Sequence, residues 1–474
     1  MLLAVALGLA LPGSAVAFGP LSSFGSFGSA AGELDAPRGV TIGPDGTAYV
    51  ADLENHRVSV FAADGSFVQA MGKDVRPGGG DICTAATGCQ AGAASSSPQA
   101  LTVPVGVALG PEGRLFVSEA NNNRVAVYDP NGTFNYFFGT THLREPQGIQ
   151  FDASGLLYVA NWGDNRIDVF TPGGAFVRGI GKEVNPGGGN VCTEATGCQA
   201  GPSVDHSAGS MAGPADVAFG PAGEILVADP GNDRIDVFAP AGSFLRAFGK
   251  EVNAGSGDPD VCTTECQSGV SGSADGAFAG PSGIAVDAAG SVYVADRLNE
   301  RISVSRVDGS FVNAFGVAAQ PFGVTLDCRG AVYASEASSG FARVERFGEP
   351  GTLSPSCAPT KQKPELIVDP GVKLPLNKFH FAGLVKNRGN GSAVLYVRVP
   401  GPGKVSLKGR GFRRLSRTAR RAMKVRLPVK PKVRLGHFLK QHGKGRIRVA
   451  VTFTPTGGVP RTHEKVIVLR RHRG

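Results

Sequence analysis

The chain has 474 residues, 42% apolar and 18% charged, with 69 Gly and 32 Pro; apolar residues this frequent and evenly spread exclude a disordered chain, and the turn-dense texture points to an all-β class. The net charge of +9 conceals a division, because residues 361–474 carry 29 Lys and Arg against three acids (Glu365, Asp369, Glu464), or +26, leaving 19 against 36 elsewhere, or −17. Parts so unlike in charge have different partners, and the basic part is drawn to polyanions.

Residues 1–17 read as a secretory signal peptide. Met1 to Leu11 is apolar, Pro12-Gly13-Ser14 follows, and Ala15-Val16-Ala17 is a small-x-small cleavage pattern. A basic leading segment is missing, so the expected translation start lies upstream. The run is shorter than the roughly 20 residues that cross a bilayer, and no transmembrane span is expected in the mature chain.

Six units then share one pattern. Each opens with Pro, a variable residue and usually Gly, followed by an apolar run and a Gly turn. A strand ending in an acid or Asn comes next, then a loop, an Arg, an alternating strand, and an outer strand closing on Gly. The first unit runs from Pro37-Arg38-Gly39-Val40 through Tyr49-Val50-Ala51-Asp52 and Asn55-His56-Arg57 to Gly72, and the others open at Pro104, Pro146, Pro214, Pro281 and Pro321. The spacings are 67, 42, 68, 67 and 40 residues. The short ones match a four-stranded unit, and the long ones add an insert of roughly 26 residues. Alternating runs of four to six residues and the turns Asp45-Gly46 and Asp64-Gly65 are strand and hairpin chemistry.

These units resemble NHL repeats. That resemblance covers residues 20–350 and implies a six-bladed β-propeller, expected over 18–357. The sixth unit lacks an outer strand, and Gly25-Ser26-Phe27-Gly28 resembles that strand, so the N-terminus is expected to close blade six and leave no open edge. Such a fold hosts enzymes, receptors and scaffolds alike.

The eight cysteines fall in close pairs: Cys83 with Cys89, Cys192 with Cys198, Cys262 with Cys266, and Cys328 with Cys357. In an exported chain this pattern reads as disulfides, with zinc shared between two loops as the rival. The first three pairs lie in the long inserts, on the face called upper here, where each inner strand begins. Cys328 and Cys357 fall on the lower face.

Residues 358–378 are Pro- and Lys-rich and read as a linker. Within 379–474, alternating runs at 393–399, 404–407, 424–429, 446–453 and 465–469 predict a small β-sandwich of five to seven strands. Pro400-Gly401-Pro402-Gly403-Lys404 and Thr454-Pro455-Thr456-Gly457-Gly458 resemble the basic Ig-like modules of exported actinobacterial repeat proteins. Phe379, Phe381, Tyr396 and Phe453 are expected in its core. Its basic face is expected to meet an anionic cell-wall polymer, with no specific nucleic acid.

The acids or Asn ending the second strands (Asp52, Glu119, Asn161, Asp229, Asp296, Glu336) and the following arginines (Arg57, Arg124, Arg166, Arg234, Arg301, Arg343) recur in every unit. They are expected to pair structurally. Function is expected where the units differ. After the opening Pro stand Arg38, Val105, Gln147, Ala215, Ser282 and Phe322; after the second-strand acid stand Leu53, Ala120, Trp162, Pro230, Arg297 and Ala337. Arg38, His56, Gln147, Trp162, Ser282, Arg297 and Phe322 are therefore the candidate ligand-binding residues on the upper face. Trp162, the only Trp, has two open readings: ligand contact, or packing under an insert. The expected function is an exported non-catalytic binding or scaffold protein, with a protein or glycan ligand and no catalytic residue, metal or cofactor. The alternative is a lactonase-like or amidating-lyase-like propeller hydrolase or lyase with calcium or zinc in the channel. His56, His142 and His206 stand at non-equivalent positions, no strand-interior acid cluster stands out, and no nucleophile is paired with a base.

Overall fold

The computed structural model describes residues 18–348 and 379–471, apart from 388, 410, 411, 414 and 456–460. The expected signal peptide, the linker and Cys357 lie outside the described residues.

Residues 18–348 form six antiparallel sheets of four or five strands. In blade one the order is Pro37–Ile42, Ala48–Asp52, Arg57–Phe61 and Phe67–Met71, each strand beside the next. Each inner strand touches that of the next blade, and Gln320–Leu326 of blade six touches Pro37–Ile42 of blade one, so the ring is closed. The opening glycine makes this approach feasible. A Cβ on Gly39 would lie 2.6 Å from the carbonyl oxygen of Val105, and one on Gly283 would lie 2.7 Å from that of Phe322.

Alternation along each strand sends side chains to both faces of its sheet, and both faces are covered by neighbouring blades. The core is therefore six clusters that each straddle two blades, with two small ones beside the inserts of blades one and four. Phe116, Val125, Phe138, Ile149, Val159 and Phe170, for example, join blades two and three.

Closure is by the N-terminus, but through a different segment from the one expected. Gly19–Phe24 pairs with Phe341–Gly348 as the fourth strand of blade six. Gly25-Ser26-Phe27-Gly28 lies beyond it in a turn, where Gly25 has φ of 87° and Gly28 of 144°. Two successive Phe-Gly pairs competed for one role. The upstream pair closes the strand because Phe24 packs against Phe61, with 4.7 Å between ring centroids, whereas Phe27 is exposed.

The inserts carry regular structure of their own. Ile82–Cys83, Gly189–Cys192 and Val261–Cys262 add a short fifth strand to blades one, three and four. Disulfides Cys83–Cys89, Cys192–Cys198 and Cys262–Cys266 follow directly. Cys328 is also disulfide-bonded.

Residues 379–471 form a sandwich of a three-stranded and a four-stranded sheet. Leu395, Val397, Leu427, Val405, Val449 and Phe453 from both sheets share its core. Phe379 is buried there and Phe381 packs at its edge. Tyr396 is not in the core: it faces outward with Lys424 Nζ 4.7 Å from its ring, because its strand buries Leu395 and Val397 on the opposite face. The sandwich also contains a helix, Val433–His442, which the strand-period reading did not anticipate. Leu439 on this helix is buried and Leu435 packs beside it. Gly443 ends the helix with φ of 69°.

Candidate functional site: the upper mouth of the central cavity

The repeated polar residues build the frame of the upper face. All six second-strand acids or Asn accept a hydrogen bond from the backbone just before their own inner strand: Asp52 from Asp35 N, Glu119 from Thr102 N, Asn161 from Arg144 N, Asp229 from Ala212 N, Asp296 from Ala279 N and Glu336 from Ala318 N, at 2.7–3.1 Å. An amide oxygen serves as well as a carboxylate here, which is why Asn161 fits the series.

The arginine pairing is only partly as expected. Arg57, Arg124 and Arg301 pair with Asp52, Glu119 and Asp296 at 2.6–2.8 Å. In blades three, four and six the close partner is instead the acid two residues after the Arg: Asp168 at 2.7 Å, Asp236 at 3.1 Å and Glu345 at 2.5 Å. The signal was present as Arg-x-acid within the third strand. Successive strand residues face opposite ways, so an i+2 acid returns to the arginine's side. Paired or not, the second-strand carboxylates are buried. Burial raises Asp52 to about 6, and burial with the adjacent Glu345 raises Glu336 to about 8.

These arginines also pin the inserts. Arg57 donates to the carbonyl of Gln90, Arg166 to that of Gln199 and Arg234 to that of Gln267, at 3.0–3.2 Å, each Gln following the second insert cysteine. The other guanidinium nitrogens reach carbonyls before the blade, such as Arg234 to Ser210 at 2.7 Å.

Inside this frame the inner strands enclose a cavity of about 520 Å³, a size suited to a small organic ligand. Its wall includes Arg38, Gln147, Trp162, Ser282, Arg297 and Phe322, six of the seven candidate residues. His56 is the exception. Its backbone is left-handed (φ 49°), as at Asn123, Asn165 and Asp233, and its Nδ1 faces Val103 N at 3.5 Å. Asn123, Asn165 and Asp233 accept from the next blade in the same way. His56 is thus a blade-to-blade turn residue. Ala337 is buried outside the cavity wall.

Trp162 combines exposure with packing. It is 38% exposed in the cavity wall, and a Cβ on Gly213 would lie 2.9 Å from its ring, so it also packs on the chain entering blade four. Ser282 Oγ lies 3.2 Å from the carbonyl oxygens of Ala295 and Pro321. Arg38 and Arg297 meet over Phe322, and burial together with Arg297 lowers Arg38 to about 10.

The residue missed in the sequence is Asp216. It takes the place of the opening glycine in Pro214-Ala215-Asp216 and lines the cavity. Its carboxylate accepts from Val217 N at 2.9 Å and Ile284 N at 3.1 Å, with no described cation paired to it. Desolvation raises it to about 7. Its room comes from Gly148, where any Cβ would collide with the Asp216 carboxylate. The break in the Pro-x-Gly pattern was the available signal. Among the described residues no group of three or more His, Cys, Asp or Glu side chains is placed to hold a metal ion.

The closed ring of radially packed sheets with a central cavity defines a β-propeller. Residues 34–61, 101–128 and 278–304 match the NHL repeat, placing the family's repeat in blades one, two and five. No curated protein sequence is matched. Similar solved structures include virginiamycin B lyase from Staphylococcus aureus, at 13% identity and TM-score 0.38, covering 65% of this chain and 83% of that one. Aldose sugar dehydrogenase from Streptomyces coelicolor, in its PQQ-bound form, gives 16% identity and TM-score 0.44 over 70% and 97% of the two chains. The calcium-binding protein regucalcin from Agrobacterium tumefaciens gives 12% identity and TM-score 0.39 over 71% and 100%.

Proposed function

We propose that this chain is an exported, non-catalytic binding protein. The propeller recognises a protein or glycan ligand at the upper mouth of its cavity, and the basic C-terminal module, which we read as Ig-like, holds the molecule at an anionic cell-wall polymer. The observation that carries this reading is the distribution of variation. The Arg, the acid or Asn, and the bonds to the backbone repeat from blade to blade, while Arg38, Gln147, Trp162, Ser282, Arg297 and Phe322 differ and gather around one cavity. Side chains that differ on a repeated frame supply recognition. No described His or Cys lines that cavity to act as base or nucleophile.

The disulfides agree with an oxidising compartment, and no described helix is long and apolar enough to cross a membrane. On the sandwich, Arg398 stands directly opposite Lys424 on the neighbouring strand, and Tyr396 opposite Arg426. Like charges in register repel, and a polyanion laid across them relieves that repulsion.

Binding of full-length protein to arrayed cell-surface glycans and peptides tests the first half. Replacing Trp162 and Phe322 by Ala is expected to abolish capture with the thermal midpoint retained; unchanged capture contradicts the reading. Metal analysis of the dialysed protein tests its non-catalytic part. One tightly held zinc or calcium per chain would instead favour a metal-dependent hydrolase or lyase.

A further inference from the structure

The upper mouth carries two guanidiniums that no described residue neutralises. Arg38 follows the opening Pro of blade one, Arg297 begins the turn after Asp296 of blade five, and Phe322 stands between them in blade six. The carbon centres of the two guanidiniums lie 3.5 and 5.6 Å from the Phe322 ring centroid. Every one of the six repeat arginines has an ion-pair partner, but neither Arg38 nor Arg297 has an ion pair or a side-chain hydrogen bond among the described residues. Nε of Arg297 is buried without an acceptor. Exposed Glu54 attracts Arg38 without forming an ion pair with it.

Two half-buried cations held over one ring repel each other and leave their forked donors unused. A carboxylate or phosphate, offering two oxygens side by side, matches that fork and cancels the repulsion. Asp216 lies in blade four, and once it ionises, above about 7, its charge disfavours an anion on that side and confines it to the Arg side of the cavity. Trp162, in blade three, stands half-way round the ring from Phe322, leaving a partly apolar space for the rest of a ligand.

We propose that Arg38 and Arg297 form an oxyanion subsite over Phe322, which holds the carboxylate or phosphate group of a small organic anion or of an acidic sugar or peptide end. The inference rests on the reading of the upper mouth as a ligand site and names the chemistry selected there.

The chain's only Trp is in the cavity wall, so its fluorescence reports occupancy. Benzoate, inorganic phosphate and the neutral control benzyl alcohol are titrated into the full-length protein at low salt. At least one anion is expected to give a saturable change that benzyl alcohol does not. Arg297→Gln is expected to weaken it about tenfold, as for loss of a charge-assisted partner, and Arg38→Gln with Arg297→Gln to abolish it. Response to benzoate identifies carboxylate ligands and response to phosphate identifies phosphorylated ones. No saturable response to either anion, or an undiminished response in the double variant, overturns the subsite. Circular dichroism of each variant confirms the fold, and Arg38→Gln alone supplies the comparison if the double variant does not fold. A saturable anion response without any array capture would retain the subsite and reject the wider reading; array capture without an anion response would do the reverse.

Discussion

Asp216 and Arg234 show how differently a buried charge behaves with and without a partner. Arg234 is fully buried between Asp229 and Asp236 and donates to carbonyls on both sides. Replacing it with Ala strands two carboxylates and several carbonyls, and is expected to cost about 3–5 kcal/mol, measured as a shift in the denaturant midpoint. Asp216 has only backbone donors. Its folded-state value of about 7 lies above its ordinary 3.8, so the folded protein keeps a proton that the unfolded chain has released. Its contribution to stability therefore falls as pH rises through that window and is flat above it. Asp216→Asn is expected to make the loss of stability across that window shallower than in the parent, with denaturant midpoints below and above it as the check. Equal slopes in the two proteins would contradict the assignment.

At the level of elements, ring closure depends on one short strand. Phe18 stacks on Phe315 at 5.2 Å and Phe24 packs on Phe61, so Gly19–Phe24 is clamped at both ends by different inter-blade clusters. Deleting residues 18–24 uncovers the edge of Phe341–Gly348. The expected result is a lower, broader thermal transition with aggregation visible by size exclusion. The inserts are a smaller matter. Each disulfide spans only four or six residues, and its entropic worth is about 2 kcal/mol. Cys198→Ser with Cys192→Ser is expected to speed proteolysis within 185–200 while moving the global midpoint little.

The elements were legible to the extent that they repeat. Six concordant Pro-to-Gly units displayed the blades, and alternation displayed the sandwich strands. What failed was singular. The helix Val433–His442 has one buried Leu and one partner beside it, a period too brief to compete with the strands around it. Its signal was Leu435 and Leu439, four apart, ahead of Gly443. His56 is expected in the ligand site, but its left-handed backbone fills the place that Asn123, Asn165 and Asp233 take in other blades. Asp216 is a single acid and makes no cluster in the sequence; its importance comes from burial, which only the closed ring creates.

The whole molecule divides its charge, with +26 in residues 361–474 and −17 in the remainder. Attraction of the sandwich to a polyanion is screened by salt. Retention of the full chain on a sulfated-polysaccharide column is therefore expected to fall steeply with ionic strength, and to elute earlier when Arg398, Lys424 and Arg426 are changed to Ser. Cavity binding is expected to be unaffected by those three changes.

The most direct test of the central claim is hydrogen–deuterium exchange of the full-length protein, alone and with a captured glycan or peptide. The account predicts new protection in the segments that begin the inner strands and follow the second-strand acids, around Arg38, Gln147, Trp162, Ser282, Arg297 and Phe322. Protection confined to the outer strands or to the sandwich, with the mouth unchanged, would contradict it.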